Sequence, residues 1–163
     1  RTLLVCTGPD SDRILDQAAL RAVRAATGLK FMRVLDATQR KFAAMLRRER
    51  VLGRPVELLH VALRATPAGI ECVDALADGS WLRQRLAGIR VLLLANWEGD
   101  GAGDWLGVVP HVITLRVGIS PEDAAGFTQR FWHNIGAGLE PGPALDEALA
   151  HCPAAGAYVG RYW

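Results

Sequence analysis

Residues 89–104 read Ile-Arg-Val-Leu-Leu-Leu-Ala-Asn-Trp-Glu-Gly-Asp-Gly-Ala-Gly-Asp. This stretch constrains the fold more than any other. Five apolar residues in a row, at 91–95, have no polar face to offer water, so the strand they predict is covered on both sides, as in the middle of a parallel sheet. The run then breaks into an acidic, glycine-rich loop. In open α/β sheets ligands and chemistry lie just beyond the carboxyl ends of the central strands. Asn96, Trp97 and Glu98 occupy that place. Tryptophan supplies no nucleophile, base or metal ligand.

The rest of the chain alternates strand and helix. Strands are predicted over 2–6, 31–35, 56–63 and 111–115, with a hairpin arm at 69–73 and a terminal strand over 158–163. A helix over 13–27 places Leu15, Ala18, Ala19, Ala22 and Ala26 on one face, with Asp10 and Asp12 as capping residues before it and Gly28 at its end. Asp36-Ala37-Thr38-Gln39 reads as an Asp variant of the capping box, opening a helix with Phe42, Met45 and Leu46 inward and Arg40, Lys41, Arg47, Arg48 and Arg50 outward. Short helices are expected over 80–86 and 143–150. Ser120-Pro121-Glu122-Asp123 is a strong helix start: an N-cap, a proline at the first position and two carboxylates against the dipole. The order predicts one α/β domain over 1–163, a mostly parallel central sheet with helices on both faces.

Composition narrows the function classes. Half the 163 residues are hydrophobic and the net charge is +2, so the chain is globular, and no nucleic-acid partner is expected. Cys6, Cys72 and Cys152 are an odd, scattered set, which suits free thiols and a reducing, cytoplasmic setting. No apolar run approaches the roughly 18 residues of a membrane span, so no membrane association is expected. The first residue is Arg1, so the sequence has the look of a trimmed piece.

One resemblance covers nearly the whole chain. A His-bearing third strand comes first, then a hairpin and helix and a hydrophobic strand running into a loop. Ser120-Pro121-Glu122-Asp123-Ala124-Ala125-Gly126-Phe127 follows, and later Ala144-Leu145-Asp146-Glu147-Ala148-Leu149. This series resembles the CHAT domain, the bacterial caspase-like proteases of clan CD. The resemblance implies a three-layer caspase-like fold. It also places the family's general-base His at Arg64, with Ala65 for the following Gly, and the family's nucleophilic Cys at Trp97. Arginine accepts no proton at any relevant pH and tryptophan has no nucleophilic atom. A relocated pair is not expected. Cys6 lies mid-strand, Cys72 lies in the hairpin arm, and Cys152 follows His151 directly, where helical neighbours do not face each other.

On that resemblance the chain is a catalytically inactive pseudoprotease domain. It would act as a scaffold, adaptor or regulator in a bacterial signalling or defence system, with an active protease, a sensor ATPase or a second copy of itself as partner. No cofactor or metal is expected. Arg64, Trp97, Glu98, Asp100 and Trp105 are the candidate binding residues, with Arg64 and Trp97 either stacked as a cation–π pair or turned to solvent. His60 reads as a structural side chain hydrogen-bonded to backbone. Trp81 and Trp132 read as core, and Trp105 and Trp163 as core or interface anchors. Asp10, Asp12, Asp36, Glu98, Asp100 and Asp104 all follow strands and could converge on a Mg²⁺, although three of them already serve as caps. The competing readings are a hydrolase with a non-standard site at the carboxyl edge of the sheet and a peptide- or small-acid-binding domain centred on Arg64.

Overall fold

The central strands of the sheet alternate their side chains between two separate apolar layers. The computed structural model describes residues 1–9 and 17–163, with backbone alone for 17–20. Five strands run parallel in the order β2 (Lys30–Val34), β1 (Thr2–Cys6), β3 (Leu58–Val61), β7 (Val91–Trp97) and β8 (His111–Arg116), and β9 (Val159–Tyr162) closes the edge antiparallel to β8. Leu4, Leu59, Val61, Leu92 and Leu94 face a layer built by α2 (Gln39–Val51) and α3 (Gly79–Arg85). Leu3, Val5, Leu58, Leu93 and Ile113 face the other layer, built by α1 (Gln17–Thr27), α4 (Pro121–Gly136) and α5 (Pro141–His151). The fold is mixed α/β with a mostly parallel sheet covered on both faces, and the 91–95 run lies where its apolarity requires. None of the described helices is long and apolar enough to cross a membrane.

Local chemistry sets the helix ends. Ser120 caps α4 by accepting from the Asp123 N–H, with Pro121 at the first turn. For α2 the cap is Thr38, whose hydroxyl accepts from the Lys41 N–H at 3.1 Å, and not Asp36 as the sequence suggested. Asp36 sits at φ +45°, a left-handed conformation that Asp tolerates better than most residues, and turns the chain from β2 into the helix. The expected caps Asp10 and Asp12 lie outside the described residues, as do the first residues of the helix they were to cap. Helix α5 starts at Pro141, two residues earlier than its sequence suggested.

The strand continuing β3 is displaced. β4 (Ala65–Thr66) pairs with the end of β7, Ala65 opposite Trp97, whereas Val61 lies opposite Leu94. Three residues, Ala62, Leu63 and Arg64, therefore face only two on β7, a bulge that kinks the strand and re-aims its side chains. From β4 the chain runs through an antiparallel meander, β5 (Gly69–Glu71) and β6 (Leu76–Asp78).

Candidate functional site at the carboxyl edge of the sheet

The bulge brings Arg64 out of the sheet at the place where the central strands end. Its guanidinium is shared between two carboxylates: Nε donates to Glu98 and Nη1 to Glu71. Glu71 reaches it because β5 folds back antiparallel, with the Glu71 N–H donating to the Arg64 carbonyl at 2.9 Å. Glu98 is delivered by the last residues of β7, its N–H bonded to the Ala65 carbonyl at 2.8 Å. All three side chains are about half exposed. The Arg64 hydrogen bond and charge hold the Glu98 carboxyl below its ordinary range, and Glu98, then Glu71, hold the Arg64 guanidinium charged beyond its usual limit. One strand further along, Arg116 Nη2 donates to Asp100 Oδ1 at 3.1 Å, and the Asp100 carboxylate is otherwise in water.

Between these pairs runs the loop of residues 99–103. Gly99 (φ +135°) and Gly101 (φ +81°) adopt backbone conformations that other residues enter only at a cost. Gly103 is required for space: a Cβ there would stand 2.3 Å from the Pro67 carbonyl oxygen. The loop is pinned from below by Trp105, whose indole N–H donates to that same carbonyl at 3.1 Å.

The five candidate residues thus divide. Arg64 and Glu98 stand paired in solvent at the edge, and Asp100 is exposed beside Arg116. Trp97 and Trp105 are both 1% exposed and pack against each other, ring centroids 6.3 Å apart, in the layer beneath the loop. Trp97 therefore neither stacks on Arg64 nor faces solvent; it is part of the floor. No group of three or more His, Cys, Asp or Glu that could hold a metal occurs among the described residues, so Asp36, Glu98, Asp100 and Asp104 do not form a cage. Sequence reading missed Glu71 and Arg116. The signal for Glu71 was the hairpin itself, which returns the chain beside Arg64.

His60 is elsewhere. It is fully buried on the opposite face of the sheet, and its Nδ1 accepts from the indole N–H of Trp132 at 3.0 Å, a side-chain partner rather than the expected backbone one. Burial pushes its pKa down to about 3, so it is neutral. Burial likewise pushes the Cys72 thiol up to about 11 and raises Cys6 further, so neither is a ready nucleophile. Of the other tryptophans, Trp132 is buried core, Trp81 is partly buried under the guanidinium of Arg85, and Trp163 is 58% exposed.

No family model matches the chain, and no curated protein matches it. Among solved structures, the ADP complex of Bacillus subtilis pyridoxal kinase aligns with a TM-score of 0.48 at 11% identity, covering 92% of this chain and 89% of that one. The pyridoxal kinase from Staphylococcus aureus, in complex with AMP-PCP, aligns with a TM-score of 0.51 at 10% identity, covering 91% and 85%. These findings overturn the CHAT resemblance, and with it the inactive protease scaffold. The Staphylococcus aureus structure that shares the architecture is a kinase, not a caspase-like protease. At such identity the likeness is one of fold, and the chemistry has to be argued from the residues themselves.

Proposed function

We propose that this chain binds the phosphates of a nucleotide, together with Mg²⁺, at the carboxyl edge of its sheet, in a site organised for phosphoryl transfer. The observation that carries the reading is the Arg64 cluster: a guanidinium held at the end of the central strands by two carboxylates, beside a glycine loop. Ion pairs as exposed as these add little to stability, so their exchange for a ligand costs little. Arginine matches phosphate oxygens with two parallel N–H donors, and a phosphate approaching Arg64 or Arg116 replaces one carboxylate oxygen with another anionic oxygen. The backbone N–H groups of residues 99–103 donate no hydrogen bond among the described residues. Runs of free amides in glycine loops cradle phosphate oxygens.

The freed carboxylates fit the second half of the proposal. Mg²⁺ keeps most of its waters and takes one or two protein carboxylates plus phosphate oxygens. Glu98, Asp100 and Asp104 lie within seven residues of chain without forming a cage, and an ion that arrives with its phosphates needs no preformed one. The likeness to a kinase solved with AMP-PCP is consistent with this reading at the level of the fold alone.

Calorimetric titration with ADP and with AMP-PCP, each with and without Mg²⁺, tests it. Saturable, Mg²⁺-dependent binding is expected, weakened about tenfold or more by Arg64→Ala and by Arg116→Ala. Absence of binding to either nucleotide, or binding indifferent to both substitutions, overturns it.

A further inference from the structure

A second concave polar site lies in the helical layer on the far face of the sheet. Residues 126, 129, 130 and 133 share one face of α4, and that face, α1 and the end of α5 enclose a cavity of about 420 Å³. This is in the lower range of small-molecule sites. Helix α5 ends at Cys152, whose backbone (φ −127°, ψ +65°) has left the helical region. Consecutive residues on a helix point apart, but this departure lets His151 and Cys152 line the same cavity. Gly126 lies at its mouth: a Cβ there would make ordinary van der Waals contact with the Cys152 sulfur at 3.5 Å.

The chemistry of the lining is one-sided. His151 Nε2 lies 2.9 Å from Arg130 Nη2, and its Nδ1 lies 3.0 Å from the Glu147 carbonyl oxygen, so the ring sits between the guanidinium and the end of α5. Arg130 Nε is buried and has no hydrogen-bond partner. Arg130 itself is half-buried, but a guanidinium N–H shielded from water without an acceptor costs free energy until an acceptor arrives. Burial, and after it the charge of Asp123, raises the Cys152 thiol, which stays protonated and adds a weak donor. Gln129 and His133 add further donors, no carboxylate among the described residues lines the cavity, and Val23 with two alanines of α1 forms an apolar wall.

We infer that this cavity binds a small organic anion, whose carboxylate or phosphate is held by Arg130 and whose short aliphatic body packs on α1. The site is separate from the carboxyl edge and does not depend on the nucleotide reading. The test is an NMR titration of the whole chain following the C2 protons of His133 and His151, with inorganic phosphate, butyrate and butyl phosphate as probes. Saturable shifts with butyrate or butyl phosphate are expected, weakened about tenfold by Arg130→Gln and unchanged by Arg64→Ala. The two organic probes distinguish the carboxylate from the phosphate source, and inorganic phosphate measures what the apolar wall adds. If Arg130→Gln fails to fold, Gly126→Val, which fills the mouth, is expected to abolish the shifts. Unperturbed imidazoles with all three probes, or shifts indifferent to the folded variants, overturn the inference.

Discussion

His60 and Arg64 stand four residues apart on one stretch of chain, and the protein treats them oppositely. His60 is fully buried, neutral and bonded to a single indole. Arg64 is about half exposed, charged and shared between two carboxylates. The bulge between β3 and β4 separates them. Before it, the strand feeds the two apolar layers. After it, the backbone has turned and a cation reaches water beside the ends of β7 and β8. A polar group in the first environment is locked to one partner, because losing that partner strands it in a medium without water. In the second, water is always an alternative partner, so contacts can be exchanged for those of a ligand. Rigidity belongs to the strand and exchange to its end.

Substitutions can break this contrast, starting with the largest. Trp132→Ala removes a fully buried indole and, among the described residues, the only hydrogen-bond donor to His60, and is expected to cost about 3–5 kcal/mol in urea unfolding. A loss under about 1 kcal/mol would show that this face is not the rigid one. The pH dependence comes next. His60 in the unfolded chain titrates near 6.5, and in the folded protein burial holds it down to about 3. Between those values the unfolded state binds a proton that the folded state refuses. The His60 contribution is therefore complete above pH 6.5 and falls by on the order of a few kcal/mol as the pH drops towards 3. His60→Gln, which keeps an acceptor and does not titrate, is expected to flatten that slope. An unchanged slope would assign the acid sensitivity to other groups.

Gly103→Ala sharpens the comparison at the other end. Its Cβ would meet the Pro67 carbonyl and the Trp105 indole nitrogen, so the loop must lift from its floor, at about 1–3 kcal/mol in thermal unfolding. Nucleotide affinity is expected to fall with it. Arg64→Ala is expected to leave the unfolding midpoint where it is while weakening nucleotide binding. A large loss of stability there would mean that the Arg64 cluster is a structural clamp.

What the sequence made legible follows this division. The apolar run at 91–95 and the helix start at Ser120 depend on neighbours along the chain, and both appear as expected. The cap of α2 moved from Asp36 to Thr38 because Asp36 was needed as a left-handed turn. The partners of Arg64 depend on a bulge and a returning hairpin, which no local pattern encodes. Trp97 read as stacked on Arg64 or turned to solvent, and Trp105 as core or interface anchor, because both border a polar loop; the loop folds back over them and makes them its floor. The CHAT resemblance rested on an order of strands, helices and turn motifs that α/β chains of different chemistry share. Such an order carries architecture and says little about the site.

The most direct measurement is an amide NMR map of the chain titrated with Mg²⁺ and ADP. The expected result is a saturable set of shifts concentrated on the amides of Gly99, Gly101 and Gly103 and on the Nε–H of Arg64, lost in Arg64→Ala. Shifts confined to the cavity around Arg130, or none at saturating nucleotide, would contradict the assignment of the carboxyl edge as the phosphate site.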